Sequence, residues 1–176
     1  GSGTQTNMNM NEVLAFGASR RLGQPVHPND DVNRSQSSND VFPTAMHVAV
    51  VEGCVVGLVP ALRQLRATLA DKAIRNADVV KIGRTHLQDA LPMTLGQELS
   101  GHVAQLDIVL KAIESALSPV HELAIGGTAI GTGLNAPAGF GALVTGHRVQ
   151  RTGQPFMVSQ NPFAALSGHE PLVFFH

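Results

Sequence analysis

The stretch T-L-G-Q-E-L-S-G-H-V-A-Q-L-D-I-V-L-K-A-I, residues 94–113, decides the fold class, because its apolar residues recur at helical spacing. These residues form one stripe: Leu99, Val103, Leu106, Val109, Leu110 and Ile113. Thr94 and Gln97 have the spacing of a capping box, in which each side chain accepts a hydrogen bond from the other residue's backbone amide. The pattern predicts a long helix over about 95–121.

The same spacing predicts helices on both sides of this segment. One helix is predicted over 7–22, with Gly23 as its stop. A long helix is predicted from Asp40 to about Asn76, capped by Ser37, Ser38 or Asn39 and kinked at Pro60. The remaining predictions are a loop over 24–36, extended structure over 77–93, an irregular Gly-rich segment over 125–137, and short helices around 142–151 and 162–166.

Composition narrows the class of protein. The 176 residues suffice for one domain, and a formal net charge of -1 without a basic stripe argues against a nucleic-acid partner. Cys54 lies in an apolar helical run, so we expect a buried, inert thiol rather than a nucleophile. No run of about 18 apolar residues is free of charge, so no membrane span is expected. The eight histidines lack close metal-ligand spacing, so no metal site is expected.

The predicted fold is all-α. At least two of its helices are long and carry little charge, and helices of this kind are usually buried against other helices. The chain has too few helices to enclose both of them. We therefore expect it to pack against copies of itself or against further segments.

Four polar clusters stand at the predicted helix boundaries. They are G-S-G-T-Q (1–5), H-P-N-D-D-V-N (27–33), S-Q-S-S-N-D (35–40) and G-R-T-H-L-Q-D (83–89). Three of them immediately precede helices, whose free N–H groups and dipoles favour anions. The clusters therefore predict a site for a small carboxylate, held by neutral donors and a histidine. The alternative is that each cluster is an ordinary helix cap.

The clusters also resemble those of one enzyme family. The motifs G-S-G-T-Q-T-N-M-N-M-N-E, V-H-P-N-D-D-V-N, S-Q-S-S-N-D-V-F-P-T-A-M, K-I-G-R-T-H-L-Q-D-A and G-G-T-A-I-G-T-G-L-N resemble the class II fumarases of the aspartase/fumarase superfamily. The resemblance runs from Gly1 to about Phe140, and the last 36 or so residues fit only loosely. His86, Ser38 and His27 are fumarase-like, where aspartases typically carry other residues.

This resemblance implies an incomplete, all-α long-helix bundle of the L-aspartase type. Residues 1–36 would end the N-terminal lyase domain with an active-site loop, and 37–176 would be part of the central helical bundle. The implied activity is fumarate hydratase, the reversible hydration of fumarate to (S)-malate in the tricarboxylic acid cycle, with no metal or cofactor. The implied partners are a small dicarboxylate and copies of the chain in a homotetramer, with no nucleic acid or membrane. The implied location is the cytoplasm, or the mitochondrial matrix in a eukaryote.

Site residues follow from the resemblance, position by position. His86 would be the catalytic histidine that holds or protonates the water that becomes the hydroxyl. The substrate-binding residues would be Ser2, Gly3, Thr4, Ser37, Ser38, Asn39 and Thr85. A second dicarboxylate site would comprise His27, Pro28, Asn29 and Asp30, although the Arg that usually precedes this motif is not evident.

The chemistry explains these residue types. Removing a proton next to a carboxylate builds a doubly negative aci-carboxylate, which preorganised neutral donors stabilise. A histidine exchanges protons near neutrality. Arg84 and Asp89 are expected to hold the loop around His86 in shape.

The family's later loop, roughly Gly-Ser-Ser-x-Met-Pro-x-Lys-x-Asn, does not occur in these 176 residues. Its serine is the proposed base in the family, so we expect the chain to be inactive alone. The alternative is a non-catalytic helical association module from a truncated gene.

Overall fold

The computed structural model describes residues 3–175 and is rich in helix, as the sequence predicts. The α-helices are α1 Thr4–Leu22, α2 Ser38–Gly53, α3 Val59–Arg75, α4 Leu95–Val120, α5 Phe140–Thr152, α6 Pro162–Ser167 and α7 Glu170–Phe175. One-turn π-helices span Pro28–Val32 and Cys54–Leu58. The strands are β1 Val80–Thr85, β2 Gln88–Thr94, β3 Glu122–Leu123 and β4 Met157–Val158. The strands form two small two-stranded sheets, so the all-α class is confirmed with these additions.

The described chain forms two compact units. The first contains the described residues up to Glu52 and from Leu117 onward, and the second is Gly53–Ala116. The predicted domain boundary between residues 36 and 37 stays a prediction.

The core of the first unit lies around α2 and the end of α4. Val51, Val120 and Leu123 are completely buried. Burying a side chain of this size contributes roughly 1.5–3 kcal/mol. Strands β3 and β4 pair in parallel, with Leu123 opposite Val158. The chain after α4 is thereby fixed against the segment that follows α5.

The second unit contains α3, the β1–β2 hairpin and α4 up to Ala116. The Arg66 guanidinium donates two hydrogen bonds to the Asp107 carboxylate, with N···O distances of 2.9 and 3.0 Å, and so links α3 to α4. The predicted capping box is confirmed: the Gln97 amide donates to Thr94 Oγ1 at 3.1 Å, and the Thr94 amide donates to Gln97 Oε1 at 2.9 Å. A Cβ at Gly96 would stand 2.6 Å from the Ala73 carbonyl oxygen, so glycine permits this close approach of α4 to α3.

The long helix predicted from Asp40 to Asn76 spans Ser38–Arg75 and changes its hydrogen-bonding pattern before Pro60. The π-helical turn Cys54–Leu58 precedes Pro60, which stands in the first turn of α3. Proline has no backbone N–H to donate, so the regular bonding pattern must change near it. Cys54 is buried, and burial raises the pKa of its thiol, as expected for an inert cysteine.

Apolar side chains remain exposed on the long helices, in line with the expectation of further packing. Leu65 on α3 is 49% exposed and Ile108 on α4 is 68% exposed.

The expectation that no segment could span a membrane needs one correction. The helix Ser38–Arg75 contains an 18-residue window with a mean hydropathy of 1.9, long and apolar enough to cross a membrane. One such helix is weak evidence, because the core helix of a soluble protein passes the same test. Only 28% of this window is buried, although Asp40 and His47 on the same helix are buried and hydrogen-bonded within the first unit.

Candidate active site

A cavity of about 590 Å³ in the first unit is lined by two of the predicted site residues, Ser37 and Ser38. Its lining is uncharged and mixes hydroxyl and amide side chains with apolar ones: Asn7, Met8, Asn33, Ser35, Gln36, Ser37, Ser38, Thr128, Ala129, Ile130, Thr132, Leu134 and Asn135. Hydroxyl and amide groups of this kind can donate hydrogen bonds to an anion without carrying a charge of their own.

Ser37 is the N-cap of α2 and also faces the cavity. Its hydroxyl oxygen accepts from the Asn39 amide at 3.2 Å, and its carbonyl accepts from the Val41 amide at 3.1 Å. The hydroxyl hydrogen is not used in either bond and can be donated to a ligand. The capping and binding interpretations of this cluster are therefore compatible.

The buried carboxylate of Asp40 ties the start of α2 to the Gly-rich segment. Asp40 Oδ1 accepts from the Ser37 amide at 2.9 Å, and Oδ2 accepts from the amides of Gly126 and Thr128, each at 3.0 Å. Burial raises the pKa of the Asp40 carboxyl, while these hydrogen bonds lower it. The Asn39 side-chain amide adds a second tie by donating to the Ala129 carbonyl at 2.9 Å.

The start of α1 meets the start of α2. Thr4 Oγ1 lies 3.3 Å from Ser38 Oγ, so two predicted substrate-binding residues are neighbours. Gly3 has a φ of 76°, and a Cβ there would stand 2.2 Å from the Phe42 ring. Only glycine fits this position. Ser2, also predicted to bind substrate, lies outside the described residues.

Three asparagine side chains are hydrogen-bonded together next to this cavity, and two of them, Asn7 and Asn33, line it. The amide groups of Asn7 and Asn11 donate to Asn33 Oδ1 at 3.3 and 3.0 Å. Asn7 is 8% exposed and Asn11 is 4% exposed. Because a buried amide is costly without a partner, these bonds hold α1 to the loop that precedes α2.

His27 caps the π-helical turn Pro28–Val32. Its Nδ1 lies 3.3 Å from the amide of Asn29 and 3.2 Å from that of Asp30. An Asp30 carboxylate oxygen also lies 3.3 Å from Nδ1. A ring nitrogen that accepts hydrogen bonds from two amides carries no proton, so we assign Nδ1 as an acceptor from the two amides and not as a donor to Asp30. Two amides of the predicted second dicarboxylate site are therefore already bonded to the His27 ring.

His86 lies at the tip of the β1–β2 hairpin in the second unit. The pairing Thr85↔Gln88 leaves His86 and Leu87 as a two-residue turn, with φ angles of 48° and 62°. Both His86 and Thr85 are exposed. Arg84 Nε donates to Asp89 Oδ1 at 2.8 Å across the strands, and the role of this pair in shaping the loop stays a prediction.

Among the described residues, every non-glycine residue with a positive φ lies either in the cavity lining or in the turn that carries His86. Ser35, Thr128 and Asn135 line the cavity, and His86 and Leu87 form the hairpin turn. Left-handed backbone at such residues is costly and clusters at functional sites.

The structure adds cavity residues that the sequence patterns did not suggest. Thr128, Thr132 and Asn135 belong to the Gly-rich segment, which the patterns describe only as irregular. Its glycines and its N-A-P ending indicate a tight loop but not what the loop faces. The sequence places Asp40 in a polar cluster at a helix start but does not predict that it contacts the Gly-rich segment.

Comparison with known proteins supports an assignment to a family. The chain is 57% identical to "Fumarate hydratase class II" of Pseudomonas syringae pv. tomato over 178 residues, which cover 98% of this chain and 38% of that protein. It is 58% identical to the enzyme of the same name from Chromobacterium violaceum, covering 100% of this chain and 40% of that protein. The chain thus spans about two-fifths of the length of these curated relatives.

Solved structures agree. A class II fumarase from Schistosoma mansoni matches with a TM-score of 0.88 and 44% identity, over 99% of this chain and 41% of that one. A fumarate lyase:delta crystallin from Brucella melitensis, bound to cobalt, matches with a TM-score of 0.91 and 40% identity, over 99% of this chain and 39% of that one.

The relatives align with 98–100% of the chain, so the alignments include the last 36 or so residues, whose looser fit to the family stays a prediction. A family model described as "Lyase" matches residues 1–176, and the chain therefore belongs to this lyase family.

Proposed function

We propose that this chain supplies part of the active site of a class II fumarate hydratase, which hydrates fumarate reversibly to (S)-malate. The single observation that carries the proposal is the neutral cavity lined by Ser37 and Ser38, with Thr4 beside Ser38. The relatives named as fumarate hydratases support the choice of substrate.

The cavity suits a dicarboxylate because its donors are neutral. The hydroxyls of Ser37 and Ser38 donate to a carboxylate, and the dipole of this 16-residue helix favours the negative charge. When a proton leaves the carbon next to that carboxylate, the charge on its oxygens grows. Fixed donors then stabilise the aci-carboxylate more strongly than the starting acid.

His86 is proposed as the group that handles the water. In the hydration direction the water oxygen bonds to one carbon of the double bond, and the histidine takes the proton that the water loses. The other carbon gains a proton from a separate acid. The exposed ring of His86 at a two-residue turn is accessible to solvent and substrate, and Thr85 is proposed to bind a substrate carboxylate.

The remaining roles are also proposals. Gly3, Asn39 and Ser2 would complete substrate binding. A second dicarboxylate site would lie at His27, Pro28, Asn29 and Asp30, and a ligand there would use side chains rather than the two amides that His27 accepts. The enzyme would act as a homotetramer, in the cytoplasm or the mitochondrial matrix.

The test measures fumarate by its ultraviolet absorbance in the presence of malate. Two proteins are assayed: the 176-residue chain, and a chimera in which this chain replaces the matching 38% of the Pseudomonas syringae relative. We expect turnover from the chimera and none from the chain alone, which does not contain the Gly-Ser-Ser-x-Met-Pro-x-Lys-x-Asn stretch.

His86→Asn is the catalytic control, and it should lower kcat of the chimera by about 10²–10⁴-fold. A folded, tetrameric chimera without turnover would contradict the proposal and favour a non-catalytic association module. Full turnover by the chimera carrying His86→Asn would remove the histidine from the mechanism.

A further inference from the structure

We infer that Asp40 is a positioning residue for the dicarboxylate site, because its carboxylate fixes the Gly-rich loop as the cavity wall facing Ser37 and Ser38. The inference rests on the proposed function for its substrate. No pattern in the sequence suggests this role, because an acid in the first turn of a helix is ordinary.

Asp40 joins two segments that lie far apart in the sequence. One oxygen accepts from the Ser37 amide, three residues earlier, and the other accepts from the amides of Gly126 and Thr128, 86 and 88 residues later. A carboxylate can accept at both oxygens at once, whereas an amide side chain has only one acceptor oxygen. The bridge therefore requires an acid at this position.

The carboxylate is held by amides and not by a cation. Asp40 is 0% exposed, and none of the ion pairs among the described residues includes it. Burying a charge is costly unless it is hydrogen-bonded, and here three amides do this. The cost of burying the Asp40 carboxylate is explained if the site needs the loop geometry that this carboxylate enforces.

That geometry belongs to the cavity. Thr128, Ala129, Ile130, Thr132, Leu134 and Asn135 of the loop line it, opposite the start of α2. The Asn39 amide donates to the Ala129 carbonyl, so the loop is tied at two points. Thr128 adopts a φ of 57°, a conformation that a threonine rarely adopts unless its surroundings impose it.

Asp40→Asn in the chimera tests the inference. The asparagine keeps the size of the side chain, but its single oxygen serves either Ser37 or the loop. We expect KM for malate to rise about tenfold, with a much smaller change in kcat. The cavity wall loses one internal hydrogen bond, so the substrate must order the loop as it binds, at a cost similar to that of the lost bond. His86→Asn should show the opposite split, with kcat lost and KM little changed.

Val51→Ala is the matched control, because Val51 is fully buried on the same helix and does not line the cavity. It should lower the melting temperature while leaving KM unchanged. If KM rises equally in the two variants, Asp40 acts through stability alone and the inference is wrong. If Asp40→Asn does not fold, Asp40→Glu keeps the charge and both oxygens at a different reach, and it must show the same rise in KM.

Amide hydrogen exchange on the 176-residue chain separates this inference from the proposed function. Asp40→Asn should speed exchange about tenfold or more at Ser37, or at Gly126 and Thr128, relative to Val51→Ala. Should the unmutated chimera lack turnover, the proposed function fails and the exchange rates alone decide whether the clamp exists. Unchanged exchange at all three amides would overturn it.

Discussion

Replacing Leu87 by glycine should stabilise the hairpin that carries His86. Leu87 has a φ of 62° and His86 a φ of 48°, so the two form a turn with both residues in the left-handed region. Such turns favour Asn-Gly because a side chain in this region costs about 1–2 kcal/mol. Leu87 is 96% exposed, so the substitution loses no packing.

The expected gain follows from two opposing terms. Leu87→Gly removes about 1–2 kcal/mol of backbone cost, and the greater freedom of glycine in the unfolded chain returns about 0.5–1 kcal/mol. The net stabilisation is therefore about 0.5–1 kcal/mol. Amide hydrogen exchange of β1 and β2 measures this local free energy directly, and urea unfolding followed by circular dichroism measures any global change.

Leu91→Gly is the matched control. Leu91 lies in strand β2, is 77% exposed and does not have a positive φ. The same chemical change should therefore destabilise the hairpin, by about 0.5–1 kcal/mol. If Leu87→Gly destabilises the hairpin as much as Leu91→Gly does, the left-handed backbone at the turn carries no cost and the reasoning is refuted.

Three further predictions concern the first unit. Burial lowers the pKa of His47 below its ordinary value near 6.5, so the folded state keeps the ring neutral where the unfolded chain becomes protonated. The free energy of unfolding should thus be highest above about pH 6.5 and fall as the pH is lowered. Urea titrations at about pH 7.5 and about pH 5 should show a smaller fall for His47→Asn than for the unmutated chain. An equal fall in both proteins would show that His47 is not the cause. Leu123→Ala, at a completely buried position, should lower the free energy of unfolding by about 2–5 kcal/mol, and a loss below about 1 kcal/mol would mean that the core collapses onto the gap. Gly3→Ala should destabilise the start of α1, because its Cβ would overlap the Phe42 ring; a melting temperature equal to that of Gly17→Ala, where nothing lies within 4 Å, would contradict the overlap.

The local sequence predicts the helices well where their signals are local. The capping box at Thr94 and Gln97, the stop at Gly23 and the extended segment over 77–93 depend on neighbours within a few residues, and each is present. The π-helical turn before Pro60 also has a local cause, the missing amide of proline, but the patterns predict only a kink there. Helix ends marked by a capping box or a stop glycine are therefore predictable, but the start of α1 lies at Thr4 rather than at residue 7, and changes of bonding inside a helix are not predicted.

The residues of the candidate site also divide into those that the sequence predicts and those that it does not. Ser37, Ser38 and His86 can be selected from the sequence because they stand in dense polar clusters at element boundaries, and resemblance to a family gives them roles. Thr132 and Asn135 stand in a segment whose only signal is glycine, and that signal shows that the chain bends without showing what it faces.

The sequence by itself determined the helical class and the capping box at Thr94, because each depends on residue spacing that can be seen along the chain, and its motifs indicated the family by resemblance. Only the tertiary structure decided that Asp40 joins Ser37 to Gly126 and Thr128, because this contact spans up to 88 residues and leaves no periodic pattern. A hydrogen bond depends on where the folded backbone places donor and acceptor. The wall of the cavity is therefore set by packing that brings distant segments together.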